Sequence, residues 1–350
     1  VQTCALPILV EDGVIEWIGN EAGCSQFDAV ATVDLAGQWL APGFVDGHAH
    51  LAETGLALWA DVSSAKSPLE IGHSLKSVPR HERVLIAHGW DDTNWPVPPD
   101  SSNLPTDLPV YVSRIDLHSG LVNAALVALV PEIQTVDGWH PSGLVKSTAH
   151  DLARKTAIGL CSHAERLRHP ELALARYAAN GVVAVHEMAG PAITGLAETQ
   201  RLVQHLGGNS AVPEVFLWWG EADGGANAVA LNAHGAGGDL FVDGSIGSAT
   251  AQMSEPYSDQ SGCGNAYLTR EQIERHLRSA ARLDLRTSFH AIGDAAISNL
   301  VSACETVAAE IGAARFVQQN HQIEHAMCID AEIIDAFAKL NIAASVQPQF

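Results

Sequence analysis

The chain has 350 residues, 47% hydrophobic and 17% charged, enough for one large α/β domain with an appendage or for two ordinary domains. Its 40 acidic residues against 19 basic ones give a net charge of −21, which argues against nucleic acid or an anionic membrane surface as the main partner. Six scattered cysteines without a CxxC predict reduced thiols and a cytoplasmic setting, and no apolar run approaches the roughly 20 residues of a membrane span.

The opening Val1–Ile8 carries no cationic leader. It reads as translated sequencing-adapter sequence, so it is set aside and the natural N-terminus is expected to be missing. Residues 9–40 predict a small β unit: a hairpin around Asp12-Gly13, then a strand over Val30–Leu35. Pro42-Gly43 breaks the pattern. Phe44-Val45 then starts a strand that ends in His48-Ala49-His50, whose two imidazoles share one face because side chains two apart do. From about 52 to 169 the chain is irregular, with Pro- and Gly-rich loops, one clear strand at Val110–Arg114 and a helix over Asn123–Val130. This stretch predicts an inserted subdomain.

After it the pattern becomes regular. Helices are expected over Pro170–Asn180, Ile193–Leu206, Thr269–Leu283, Ala295–Ile311 and Asp330–Leu340. Thr269 and Gln272 form a capping-box pattern at the third of these. Strands are expected at Val182–His186, Glu214–Trp219, Leu240–Asp243, Arg286–His290, His321–His325 and Ile342–Val346. The alternation predicts parallel βαβ units. With the HxH strand they make seven repeats, the last ending near Gln347, where a closed (β/α)8 barrel needs eight. An open doubly wound sheet lacks the GxGxxG that would support it.

Polar groups fall repeatedly at the predicted carboxyl ends of these strands, the end at which barrel active sites are built: His48, His50, His186, Asp243, His290 and His325. His290 and His325 stand one βα unit apart. A buried core histidine accounts for any one of them but poorly for the set. Neutral imidazoles converging on one point are metal-ligand chemistry.

These segments resemble the amidohydrolase superfamily of metal-dependent hydrolases, specifically its YtcJ-like (amidohydrolase-3) branch. The matching motifs are PGFVDGHAHL, GWDDTNWP with PVYVSRIDLH, VAVHEMAG, DGSIGSATA followed by EPYSD, HAIGDAA and IEHA, in order over residues 9–350. The resemblance implies a (β/α)8 TIM barrel, incomplete here over 41–350, with 9–40 forming part of a small β-sandwich. It implies that His48 and His50 hold one metal, and His290 and His325 the same or a second one. The bridging position, often a carbamylated lysine in the family, is Asp239 here. Asp239 could coordinate directly, pair with a neighbour, or leave a single tight site, and Asp243 could serve instead.

Zinc is the expected ion, one or two per chain, with iron, manganese or cobalt also compatible. The implied reaction is hydrolysis of an amide or formamide-like C–N bond in a small molecule. The proton-relaying aspartate of strand eight is expected beyond Phe350. Trp90, Asp91, Arg114 and His118 are candidate substrate contacts from the insertion, and His186 and Asp243 from the barrel. Trp90 could equally be subdomain core, His186 a core histidine, and Arg114 a partner of Asp116. Asp294 orients His290 or caps the next helix; Tyr257 packs. A catalytically incomplete, small-molecule-binding homologue is the alternative reading, lyase or isomerase chemistry is a third, and a homodimer is compatible with all three.

Overall fold

Asp12 and Gly13 both take positive φ, 50° and 81°, and turn the chain between β1 (Ile8–Glu11) and β2 (Val14–Ile18). Two consecutive positive-φ residues match the twist of an antiparallel hairpin, so the Asp-Gly signal acts as expected. The computed structural model describes residues 6–191, 193–206, 213–259 and 261–348. Contacts divide the chain into units of residues 1–43 and 44–350. Ile8, set aside with Val1–Pro7, is the first residue of β1 and pairs with Ile18; residues 1–5 lie outside the described residues. Val30–Leu35 forms no strand and is fully exposed. Its β-prone composition finds no partner to pair with, and a strand is not held by propensity alone.

The second unit begins with β3 (Phe44–Ala49), followed by the helix Leu51–Trp59. The stretch expected to be irregular is more ordered than its sequence suggests. It carries β4 (Leu85–Trp90), β5 (Val110–Arg114), β6 (Ser119–Val122) and β7 (Leu144–Lys146) in one sheet in that order. β4 and β5 run parallel, and the other pairs antiparallel. One face packs on the helix Ser147–Leu160 and the other on Pro68–Ser74, giving two apolar cores. Strands of three to six residues buried on both sides show no alternation to read.

The helix expected from Pro170 starts earlier, at His163, and runs to Ala179 with Pro170 inside it. Ser162 and Glu165 close a capping box there, which sets the start, and the proline costs only local bonding within an already nucleated helix.

The regular part supplies β8 (Val182–Ala189), β9 (Glu214–Trp219), β10 (Gly235–Ala236), β11 (Ser288–Ala291), β12 (Gln322–His325) and β13 (Ala343–Ser345). β3, β8, β9 and β10 form one parallel sheet and β11 to β13 another. Isolated parallel bridges, Ala236↔Thr287 and Phe241↔His290, join their edges. The strands thus follow one another in chain order, as short βαβ crossovers require. The helices Arg270–Arg282 and Asp294–Ile311 cover β11 and β12 through a core that includes Ile273, Leu277, Leu300, Phe289 and Ile323. The sheet curls far enough for His48 on β3 to hydrogen-bond Glu324 on β12.

One strand moves. Leu240–Asp243 is not a strand, and its place beside β9 is taken by Gly235–Ala236. Gly237 and Gly238 then turn with φ of 133° and 96°; Gly238 N–H reaches the Ser288 carbonyl, and farther along His290 N–H reaches the Leu240 carbonyl and Val242 N–H the His290 carbonyl. That turn delivers Asp239 to the strand ends.

Candidate metal centre

Asp239, 5% exposed, sits where four imidazoles converge. Its two oxygens face different pairs. Oδ2 lies 2.8 Å from His50 Nε2 and 3.6 Å from His48 Nε2. Oδ1 lies 3.2 Å from His290 Nδ1 and 3.5 Å from His325 Nε2. Two triads with metal-ligand spacing result, His48–His50–Asp239 and Asp239–His290–His325, and they share one carboxylate.

The opposite nitrogen of every ring has its own acceptor. His48 Nδ1 faces Glu324 Oε2 at 2.8 Å, and His50 Nδ1 faces the Met188 carbonyl at 3.2 Å. His290 Nε2 faces the Gly244 carbonyl at 3.0 Å, and His325 Nδ1 faces Gln347 Oε1 at 2.7 Å. An acceptor on the outer nitrogen takes the ring proton there and leaves the inner lone pair turned toward Asp239. This is the arrangement of outer partners that fixes metal-binding imidazoles.

The backbone explains how these groups meet. His48 and His50 share a face of β3 by strand alternation. Alternation would send Glu324 and His325 to opposite faces, yet both turn inward. His325 has φ of 70° and Ala326 of 46°, and that left-handed step rotates His325 back to the centre.

The field at the centre favours positive charge. Burial opposes ionisation of His48, but the carboxylates of Asp239 and Glu324 outweigh it and raise its pKa to about 10. Asp239 is likewise buried, yet the surrounding imidazoles hold it well below the usual carboxylate range. Three or more imidazole lone pairs around a buried carboxylate fit a borderline-soft divalent ion such as zinc.

The other candidate residues divide. The His118 ring lies 5.2 Å from that of His290, beside Phe241, and its side chain remains half-buried at the edge of the cluster. Asp243 turns to backbone instead, accepting from the N–H groups of Ile292, Gly293 and Gln252, with His290 Nε2 at 4.0 Å. It pins the loop that follows His290 onto its own segment. Arg114 is engaged by three carboxylates, Asp91, Asp92 and Asp116, each at 2.9 to 3.0 Å. Trp90 is fully buried in a core of the β4–β7 sheet and donates to the Val112 carbonyl. His186 lies mid-strand because β8 continues to Ala189; its ring packs among Phe216, Trp218 and His234, away from the two triads. Asp294 binds Ser254 through its backbone N–H and hydroxyl and makes no hydrogen bond to His290 among the described residues. Tyr257 packs, its hydroxyl donating to the Ala251 carbonyl.

A family model described as the Amidohydrolase family matches residues 31–350. The chain belongs to that family. A putative amidohydrolase, YtcJ, of Bacillus subtilis (strain 168) is 27% identical over 389 residues, spanning 98% of this chain and 69% of that protein. The exoenzymes regulatory protein AepA of Pectobacterium carotovorum is 25% identical over 349 residues, 86% of this chain and 73% of its own. Among solved structures, an uncharacterized metal-dependent hydrolase from Pyrococcus horikoshii OT3 superposes with a TM-score of 0.71 at 24% identity, over 98% of this chain and 71% of that one. The fold is shared with that protein, and the sequence falls in the YtcJ-like branch.

Three groups at the centre of this amidohydrolase-family chain escape sequence reasoning: Glu324, Gln347 and Glu187. Glu324 is wholly buried and also receives the Ser288 hydroxyl and the Gln322 amide. Glu187 is wholly buried as well. One of its oxygens caps the helix Leu51–Trp59 through the Leu51 N–H at 2.7 Å, while Oε1 has no hydrogen bond among the described residues, and burial lifts its pKa to about 7. For Glu187 the available signal was an acidic residue inside a strand otherwise built largely of apolar side chains.

Proposed function

We propose that the chain is a metal-dependent hydrolase of C–N bonds in small amide or formamide-like molecules. In this reading His48 and His50 would hold one divalent ion and His290 and His325 a second, with Asp239, in the place of the family's lysine, as the carboxylate common to both triads. The observation that carries it is the division of labour at Asp239: one oxygen faces each imidazole pair, and each ring's other nitrogen is already held. An aspartate there is anionic without any modification.

Zinc suits the donors, and a divalent ion so held supplies a Lewis acid that lowers the pKa of water from 15.7 to about 7 and polarises a carbonyl. The chain's own residues do the positioning. Glu324 and Gln347 fix the tautomers of His48 and His325, and Asp243 holds the backbone that presents His290. His118, half-buried beside His290, is the candidate whose surroundings best support contact with substrate. Arg114, Asp91 and Asp92 form a tight ionic cluster at the carboxyl end of β5, which supports a structural role ahead of a substrate-holding one. Seven parallel strands in chain order, four in one sheet and three in the next, support a (β/α)8 barrel as the scaffold. The hairpin unit then belongs to a small β-sandwich over 9–40.

Metal analysis of purified protein tests the reading. The expected result is one to two divalent ions per chain, with His290→Ala and Asp239→Asn each lowering the content, and turnover on a panel of N-acyl and N-formyl amides. No bound metal in the parent protein, together with no difference in the variants, would refute it. Full metal content without turnover on any amide would favour the binding-protein reading.

A further inference from the structure

We infer that a second site, for a phosphate group, lies at the opposite end of the strands from the metal centre. The residues immediately before β10, β11 and β12 line a cleft of about 440 Å³: His234, Arg286 and Gln319, with Arg315, Asp284 and Leu285 around them. Because these strands are parallel, the cleft is at their amino ends, whereas His290 and His325 lie toward the carboxyl ends.

In a chain of net charge −21, this cleft holds two guanidinium groups that make no ion pair among the described residues. Arg286 donates from Nη1 to His234 Nε2 at 2.9 Å, and its guanidinium lies 5.9 Å from the centre of the Trp218 ring. The imidazole and the indole thus hold the guanidinium in place, while its Nε and Nη2 make no hydrogen bond among the described residues. Arg315 spends one donor on the Ala281 carbonyl and keeps its others. Asp284 shares the rim but pairs with neither arginine.

The observation that points to a ligand is this pair of guanidiniums without an ion pair lining one cleft, which Gln319 lines as well. Gln319 is 9% exposed, its Oε1 is taken by His321 Nε2 at 3.2 Å, and its buried Nε2 has no partner among the described residues. An oxyanion in the cleft would accept from the free donors of both guanidiniums. Planar guanidinium forks match phosphate oxygens, and a group held before binding loses less entropy on binding. The cleft is larger than a phosphate ion, so it has room for the organic part of a small phosphate monoester.

Calorimetric titration of the purified full chain with inorganic phosphate and with glycerol 3-phosphate, at constant ionic strength, tests the site. Saturable binding is expected, tighter for the ester, and weakened about tenfold by each of Arg286→Gln and Arg315→Gln, since one charge-assisted contact is worth roughly 1.4 kcal/mol. Arg315 is exposed but donates to the Ala281 carbonyl, so a parent-like melting temperature of its variant separates lost binding from lost folding. Asp239→Asn, at the metal centre, should leave the affinity unchanged. The inference fails if neither titrant saturates, if both arginine variants bind like the parent, or if binding is lost in Asp239→Asn and kept in Arg286→Gln.

Discussion

Glu324 shows how much a single side chain settles. Its carboxylate is fully buried, receives the His48 ring proton at 2.8 Å, and is itself held by Ser288 and Gln322. Glu324→Gln keeps the shape and removes the charge that fixes the tautomer of His48. Outer-partner substitutions of this kind typically cost about 10–100-fold in metal affinity. Competition against a chelator should show a loss of that size with an unchanged circular dichroism spectrum; parent-like affinity would mean that Glu324 does not orient His48. The four histidines that converge here were legible in sequence because histidines recur at strand ends, and Asp239 through the family resemblance, as the position matching the bridging lysine. Glu324 was not, because alternation assigns it the face opposite His325, and only the positive φ at His325 brings both inward.

Between residue and molecule, the decisive element is the turn after β10. Gly237, at φ of 133°, passes so close to β11 that a Cβ there would lie 2.0 Å from the Ser288 carbonyl oxygen. Neither the backbone angle nor the space admits a side chain. Gly237→Ala is therefore expected to displace Asp239, cutting metal content at least in half and lowering the melting temperature by several degrees, about 2 kcal/mol or more. Metal analysis and thermal unfolding check this, and a variant with parent-like values in both would contradict it. Local rules worked where the signal is chemical and short. Thr269 and Gln272 form the expected capping box, and Asp12-Gly13 makes the expected hairpin. They failed at Ser162–Glu165, an S-x-x-E signal of the same kind, where Pro170 drew the helix start seven residues too late. They failed again at β6 and β7, whose four and three residues are too few to show a period.

Across the molecule, buried neutral histidines link stability to pH. His321 Nδ1 accepts the Thr287 N–H at 3.1 Å, and His276 Nδ1 accepts the Asp223 N–H at 3.0 Å, so protonating either nitrogen breaks a backbone bond. Burial, helped by Arg286 and His276, lowers His321 to about 4, and burial lowers His276 as well. In the unfolded chain both titrate near 6.5. Below that pH the unfolded state takes up protons that the folded state refuses. The stability is thus complete above 6.5 and falls as the pH drops toward 4, by up to about 1.4 kcal/mol per pH unit for each such group. Urea unfolding at stepped pH should show this slope, and His321→Asn, which can still accept from Thr287, should reduce it. An unchanged slope in that variant would remove His321 from the account.

By itself the sequence determined the family, the parallel order of the strands and the residues of the centre, because those are carried by short motifs and by the alternation of helix and strand. Tertiary structure decided what those residues touch. It tied Arg114 to three acids and buried Trp90 in a core. It moved His186 to mid-strand and made Asp243 a backbone anchor. It also set one Asp239 oxygen before each histidine pair. The reason is physical: a motif fixes which donors a segment carries, but which of them meet depends on register and on the few positive-φ turns, and both are set by packing between segments far apart in the chain.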